Sequence, residues 1–129
     1  MEFFDLGPDG YFDDRGWAVN PIPVEKLTKQ EFGHLHIASL APGVVRGNHY
    51  HDCTAEFLYV FGGNYEFYYT QSGAVKSRII RNPELIGIKI DAGTAHAIKN
   101  IDNKIIYVAA YYDMPYNFDN PDTIEKILI

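Results

Sequence analysis

Turn-forming groups recur at short intervals and cut the chain into brief runs. Gly7-Pro8-Asp9-Gly10, Asp14-Arg15-Gly16, Asn20-Pro21, Ala41-Pro42-Gly43, Gly62-Gly63-Asn64, Ser72-Gly73, Asn82-Pro83, Asp91-Ala92-Gly93 and Asp102-Asn103 all favour chain reversal. Glycine supplies positive φ, proline a fixed φ, and Asn or Asp a side chain that bonds its own backbone. Between these groups lie residues 17–19, 34–40, 48–51, 56–61, 65–70, 77–81, 85–90, 96–100 and 105–111, which read as strands. The 10 Tyr and 8 Phe favour strands over helices. The spacing predicts an all-β fold, an antiparallel sandwich or barrel. Helical signals are confined to residues 23–30, with Pro23 near the start, and to 122–127, with Asp122 as the cap.

With 129 residues, 47% of them apolar, the chain can bury one core but not two, so a single domain is expected over 1–129. Its first twenty residues are loop-rich and suit an arm that packs on a neighbouring subunit. A net charge of -6 without any Lys/Arg run argues against nucleic acid and acidic membrane surfaces as partners. Met1-Glu2-Phe3-Phe4-Asp5 lacks the basic start and apolar stretch of a secretory signal, and no run is long enough to cross a bilayer, which predicts a cytoplasmic location. Cys53 is the sole cysteine, so no internal disulfide is possible.

The chemistry concentrates in Gly47-Asn48-His49-Tyr50-His51, Glu56, and Gly93-Thr94-Ala95-His96. Alternate side chains of a strand share a face, so His49 and His51 point together while Tyr50 turns away. After the turn at Asp52-Cys53-Thr54, a hairpin would return Glu56 beside the two imidazoles. His96 can complete the set from another strand. Three neutral imidazoles and one carboxylate suit Zn, Mn, Fe, Co or Ni, and leave coordination positions open for substrate. Taken alone, the His-x-His pair reads more readily as a solvent-facing or hydrogen-bonded pair, and Glu56 as a surface carboxylate. The joint spacing, with Gly62 behind Glu56 and Gly93 ahead of His96, favours a metal site.

This joint pattern resembles the cupin superfamily. Its first motif corresponds to Gly47, His49, His51, Glu56 and Gly62, and its second to Asp91-Ala92-Gly93, His96 and Asn100, with Asp91 where proline is usual. The resemblance implies a single jelly-roll β-barrel holding a divalent metal, and small cupins of this kind imply a homodimer. Residues 41–51, Glu56-Phe57-Leu58 and Asn117-Phe118-Asp119-Asn120-Pro121-Asp122-Thr123 are similar to the C-terminal cupin domain of bifunctional capsular-polysaccharide enzymes. Phe12-Asp13-Asp14-Arg15-Gly16 is similar to the start of dTDP-4-keto-6-deoxyhexose epimerases and ketoisomerases. These resemblances imply zinc and an epimerase or isomerase acting beside the keto group of a nucleotide-linked deoxysugar in surface-polysaccharide synthesis. The chain has no room for the reductase domain of the bifunctional enzymes, and Arg46 stands where they carry lysine.

Epimerisation beside a ketone needs a base, an acid and a means of holding the enolate. His34, His36, Tyr59, Tyr68 and Lys99 are the available proton carriers. Four of these have competing roles: His34 and His36 as hydrogen-bonded strand residues, Tyr59 and Tyr68 as core or rim. Arg46 suits bidentate binding of a substrate diphosphate, or a surface salt bridge. Two other functions fit the same ligands, a metal-dependent oxygenase or other small-molecule cupin enzyme, and a sugar-binding or sensing module without turnover.

Overall fold

The computed structural model describes residues 1–21 and 33–129. The helix expected over 23–30 lies outside the described residues. The strands are β1 (Glu2–Asp5), β2 (Tyr11–Asp13), β3 (Gly16–Ala18), β4 (His34–Leu40), β5 (Val45–His51), β6 (Glu56–Phe61), β7 (Tyr65–Gln71), β8 (Ala74–Ile80), β9 (Ile86–Ile90), β10 (His96–Asn100), β11 (Ile106–Tyr112) and β12 (Thr123–Glu125). They form two five-stranded antiparallel sheets, ordered β1-β9-β6-β11-β4 and β12-β5-β10-β7-β8, and a separate β2-β3 hairpin. The expected barrel is therefore a two-sheet jelly roll; among the described residues no ladder joins the sheets into a closed cylinder.

Period-two alternation explains how the sheets meet. Leu58, Val60, Ile88, Ile90, Ile106, Val108 and Ala110 of the first sheet pack in one cluster against Tyr65, Phe67, Ile80 and Ile98 of the second. Phe67 and Ile88 are fully buried at its centre. Strand β6 has both its faces covered, and it reads as a nearly continuous apolar run. Its outward residues Tyr59 and Phe61 sit under the N-terminal segment, with the Trp17 ring edge-on to Tyr59 at 5.8 Å and to Phe61 at 6.3 Å. The expected loop-rich arm thus contains strands: β1 pairs with β9, and Leu6 is buried against Tyr59 and Leu85. Gly87 admits this packing, since a Cβ there would lie 2.4 Å from the Phe4 ring.

At the C-terminus the expected helical turn is replaced by a strand. Thr123, Ile124 and Glu125 pair with His51, Tyr50 and His49. Free backbone groups on the edge of β5 offered this segment a ladder, and Asp122 spends its carboxylate on His51 and on the turn that follows it instead of on a helix cap.

Candidate metal centre

Strand β5 places the two imidazoles, and an irregularity in it decides what stands beside them. His96 pairs with His49 while the next residue, Ala97, pairs with Gly47, so Asn48 is an extra residue in the ladder. Asn48 and Gly47 have φ of 56° and 95°, the left-handed region that a bulge requires and that Asn and Gly tolerate. One inserted residue shifts the alternation. Arg46 consequently faces the interior together with His49 and His51, where an unbroken strand would have turned it outward. Gly47 also allows close approach of β10, since a Cβ would sit 2.8 Å from the His96 carbonyl oxygen.

Glu56 arrives from the opposite sheet. The expected hairpin between β5 and β6 does not form; the turn at 52–55 crosses from one sheet to the other and aims Glu56 across the interior. Its Oε2 lies 3.3 Å from His51 Nε2 and 3.1 Å from His96 Nε2. Among the described residues neither Glu56 Oε2 nor His51 Nε2 has an aligned hydrogen-bond partner, although both atoms are buried. Buried polar atoms left unpartnered are costly and uncommon, and a cation between them would satisfy both. Donor atoms of His49, His51 and Glu56 all lie within 4.8 Å of one another. His96 joins through its approach to Glu56, and its Nδ1 is 3.2 Å from the Thr94 carbonyl oxygen.

The electrostatics match a centre that accepts positive charge. Burial, reinforced by the neighbouring His96 ring, pushes His49 down to about 4, leaving it neutral near pH 7. Burial also opposes charge on His51, but the Glu56 and Asp122 carboxylates outweigh it and hold this ring above its ordinary value. Glu56 feels the same contest with the opposite result: burial raises it, and the flanking His51 and His96 rings bring it below the usual carboxylate range.

Two cavities meet at these ligands. The larger, of about 370 Å³, is lined by His34, His36, His49, His51, Tyr112 and residues of the 114–123 segment. The smaller, of about 120 Å³, is lined by Arg46, His49, Glu56, His96 and apolar side chains of both sheets. His36, His49 and Tyr112 belong to both. The Tyr112 ring stands 5.3 Å from His51 and stacks on His34 at 4.3 Å, while His34 Nδ1 is 3.0 Å from the Met114 carbonyl oxygen. Burial, and then the charge of Glu56, hold the Tyr112 phenol well above its ordinary value, so it stays protonated.

His34, His36 and Arg46 therefore lie in the two cavities with the proposed ligands. Tyr59, Tyr68 and Lys99 do not, because alternation sends each to an outward face. Tyr59 packs beneath Trp17. Tyr68 donates to Glu66 Oε2 at 2.6 Å, and Lys99 pairs in register with Glu66. Arg46 uses its Nε to reach the Ser39 carbonyl oxygen at 2.8 Å. Asn100 is structural: its Nδ2 donates to the carbonyl oxygens of Leu40 and Lys104, and its Oδ1 accepts from the Asp102 amide. Sequence reasoning missed Tyr112 and Asp122. Counting in twos from Ile106 along β11 would have put Tyr112 on the interior face, whereas Asp122 reads locally as a helix cap and nothing nearby in sequence ties it to His51.

The sequence profile of the polysaccharide biosynthesis C-terminal domain matches residues 11–124. The chain belongs to this family. No curated sequence matches it. Among solved structures, the domain is similar to the capsular polysaccharide assembling protein CapF from Staphylococcus aureus, with 19% identity and TM-score 0.68 over 74% of this chain and 27% of that one. The domain thus spans about a quarter of the length of CapF. A dTDP sugar isomerase from Desulfovibrio desulfuricans aligns over 96% of this chain and 82% of its own, with 13% identity and TM-score 0.81. The 3,4-ketoisomerase QdtA from Thermoanaerobacterium thermosaccharolyticum, solved as a variant with TDP-4-keto-6-deoxyglucose, aligns over 97% and 86%, with 12% identity and TM-score 0.74. At such identities the likeness establishes the jelly-roll fold the domain shares with them.

Proposed function

We propose that this domain is a metal-dependent epimerase or isomerase acting beside the keto group of a nucleotide-linked deoxysugar in surface-polysaccharide synthesis. The observation that carries the reading is the buried His49, His51 and Glu56 donor group standing where two cavities meet. Similarity to a capsular assembly protein and to dTDP-sugar isomerases supports the substrate class. His49, His51 and Glu56 would hold the cation, with His96 as the fourth donor expected from the sequence. Zinc is the metal proposed, and when bound it would supply Lewis-acid polarisation of a carbonyl.

The remaining chemistry falls to residues of the cavity walls. His36 lines both cavities and is the proposed base, its ring nitrogen taking the proton from carbon. Tyr112, held protonated by burial, is the proposed acid that returns a proton from its hydroxyl. His34 orients Tyr112 through ring stacking. Arg46, turned inward by the Asn48 bulge, is the proposed contact for a substrate anion. A cytoplasmic homodimer remains part of the proposal, and light scattering decides its stoichiometry.

Solvent exchange tests the reaction. Incubated with the zinc-loaded domain in deuterated water, a nucleotide 4-keto-6-deoxyhexose gains deuterium on the carbon next to the carbonyl, and His36→Ala or Tyr112→Phe slows that gain by roughly 100-fold or more. Absence of exchange across a panel of nucleotide keto-sugars contradicts the assignment.

A further inference from the structure

The C-terminal segment returns to the metal strand and places one carboxylate between a ligand and a turn. Asp122 Oδ1 lies 3.3 Å from His51 Nδ1. Its Oδ2 accepts from the Thr54 hydroxyl at 2.6 Å, the Thr54 amide at 3.0 Å and the Cys53 amide at 3.2 Å. A single side chain therefore grips the His51 ring with one oxygen, and with the other the turn that carries the chain toward Glu56. The backbone repeats the connection, because the Asp52 amide donates to the Asp122 carbonyl oxygen at 3.0 Å and β12 pairs with β5 immediately afterwards.

We propose that Asp122 is the positioning residue of the metal edge: it holds the proton of His51 on Nδ1 and so presents Nε2, as a lone pair, toward Glu56. An imidazole offers one donor and one acceptor when neutral, and a carboxylate accepts only. Each ring nitrogen has a carboxylate oxygen at 3.3 Å, but only the Asp122 contact has hydrogen-bond geometry, so the hydrogen is placed on Nδ1 and the opposite nitrogen becomes the ligand atom. That opposite nitrogen is the buried His51 Nε2 without a hydrogen-bond partner, 3.3 Å from Glu56 Oε2. Thr123 Oγ1 is also 3.3 Å from His51 Nδ1, but a hydroxyl can donate or accept and imposes no tautomer. A carboxylate behind a ligating histidine fixes ring orientation and raises basicity, and losing it lowers metal affinity by roughly 10–100-fold. The ligand role rests on the metal reading above; the tautomer does not.

Nitrogen-15 NMR of the metal-free domain, recorded as the pH is raised until the His51 ring has lost its charge, reads the tautomer directly. His51 is expected as the Nδ1-H form in the natural sequence and in Thr123→Val, and as a mixture in Asp122→Ala. Asp122→Asn, which keeps an oxygen acceptor, largely restores it. Zinc affinity measured by chelator competition falls by roughly 10–100-fold in Asp122→Ala and by less in Asp122→Asn. Thr54→Val loosens the turn without touching His51, so it lowers thermal stability and leaves the tautomer unchanged. An Nε2-H form of His51 in the natural sequence overturns the proposal, even should Asp122→Ala fail to fold. So does a tautomer that Asp122→Ala leaves intact. Failure of the natural sequence to bind zinc, with the tautomer as expected, overturns the metal reading alone.

Discussion

His49 and His51 are neighbours on one strand, yet their surroundings push them in opposite directions. His49 faces burial and a second imidazole, and its folded value of about 4 lies below the 6.5 of a free side chain. Unfolding therefore takes up a proton at this ring between those two values. The stability it contributes is complete above about 6.5 and is lost as the pH falls toward about 4. His51 has the opposite sign, its contribution being complete below 6.5 and lost as the pH rises through its folded value. In chelator-treated protein, the melting temperature of His49→Gln is predicted to fall less steeply than that of the natural sequence between about pH 6.5 and about pH 4. Parallel slopes for the two proteins would show that His49 is not held neutral by its surroundings.

At the level of elements, β5 is organised by its bulge and by the C-terminal segment bound to it. Asn48 combines both roles. Its Oδ1 accepts from the Leu128 amide at 2.8 Å, its Nδ2 donates to the Ile129 carbonyl oxygen at 3.2 Å, and its backbone oxygen accepts from Lys126 at 2.7 Å. Asn48→Ala loses the side-chain bonds and strains the left-handed backbone, which is predicted to lower stability by about 1–3 kcal/mol. Asn48→Gly loses the same bonds without the strain and should be the more stable variant, by about 1 kcal/mol. Chemical denaturation measures both, and an Ala variant as stable as the natural protein contradicts the assigned role.

The same elements mark how far sequence reading reaches. Strands β4, β6 and β10 are legible to the residue, because a turn group closes each of them and strand-forming residues fill them. The shared face of His49 and His51 follows from alternation along β5, whereas Glu56 reaches them by a crossing between sheets and not by the expected hairpin. What was not legible depends on contacts distant in sequence. The bulge at Asn48 breaks the period of two, and β12 has no strand pattern of its own. Asp122 finds His51 from 71 residues away. Tyr59, Tyr68 and Lys99 have suitable chemistry, and only the facing of each strand separates them from His36 and Tyr112. Crossing between sheets after β5 was likewise invisible, since a short turn serves a hairpin equally well.

For the whole molecule, the two sheets act as opposed supports for one centre. The second sheet supplies His49, His51 and His96, and the first supplies Glu56, His36 and Tyr112. Packing of the shared core sets the distance between these groups, so the centre exists only in the folded domain. Metal binding is accordingly expected to raise the unfolding temperature of the entire domain rather than of a local segment.

Elemental analysis of the purified domain after zinc loading and desalting tests that arrangement most directly. About one zinc per chain is predicted for the natural sequence, with near-complete loss in His49→Ala and in Glu56→Ala variants that retain the far-ultraviolet dichroism of the parent. A metal-free natural protein, or full zinc content in both variants, contradicts it.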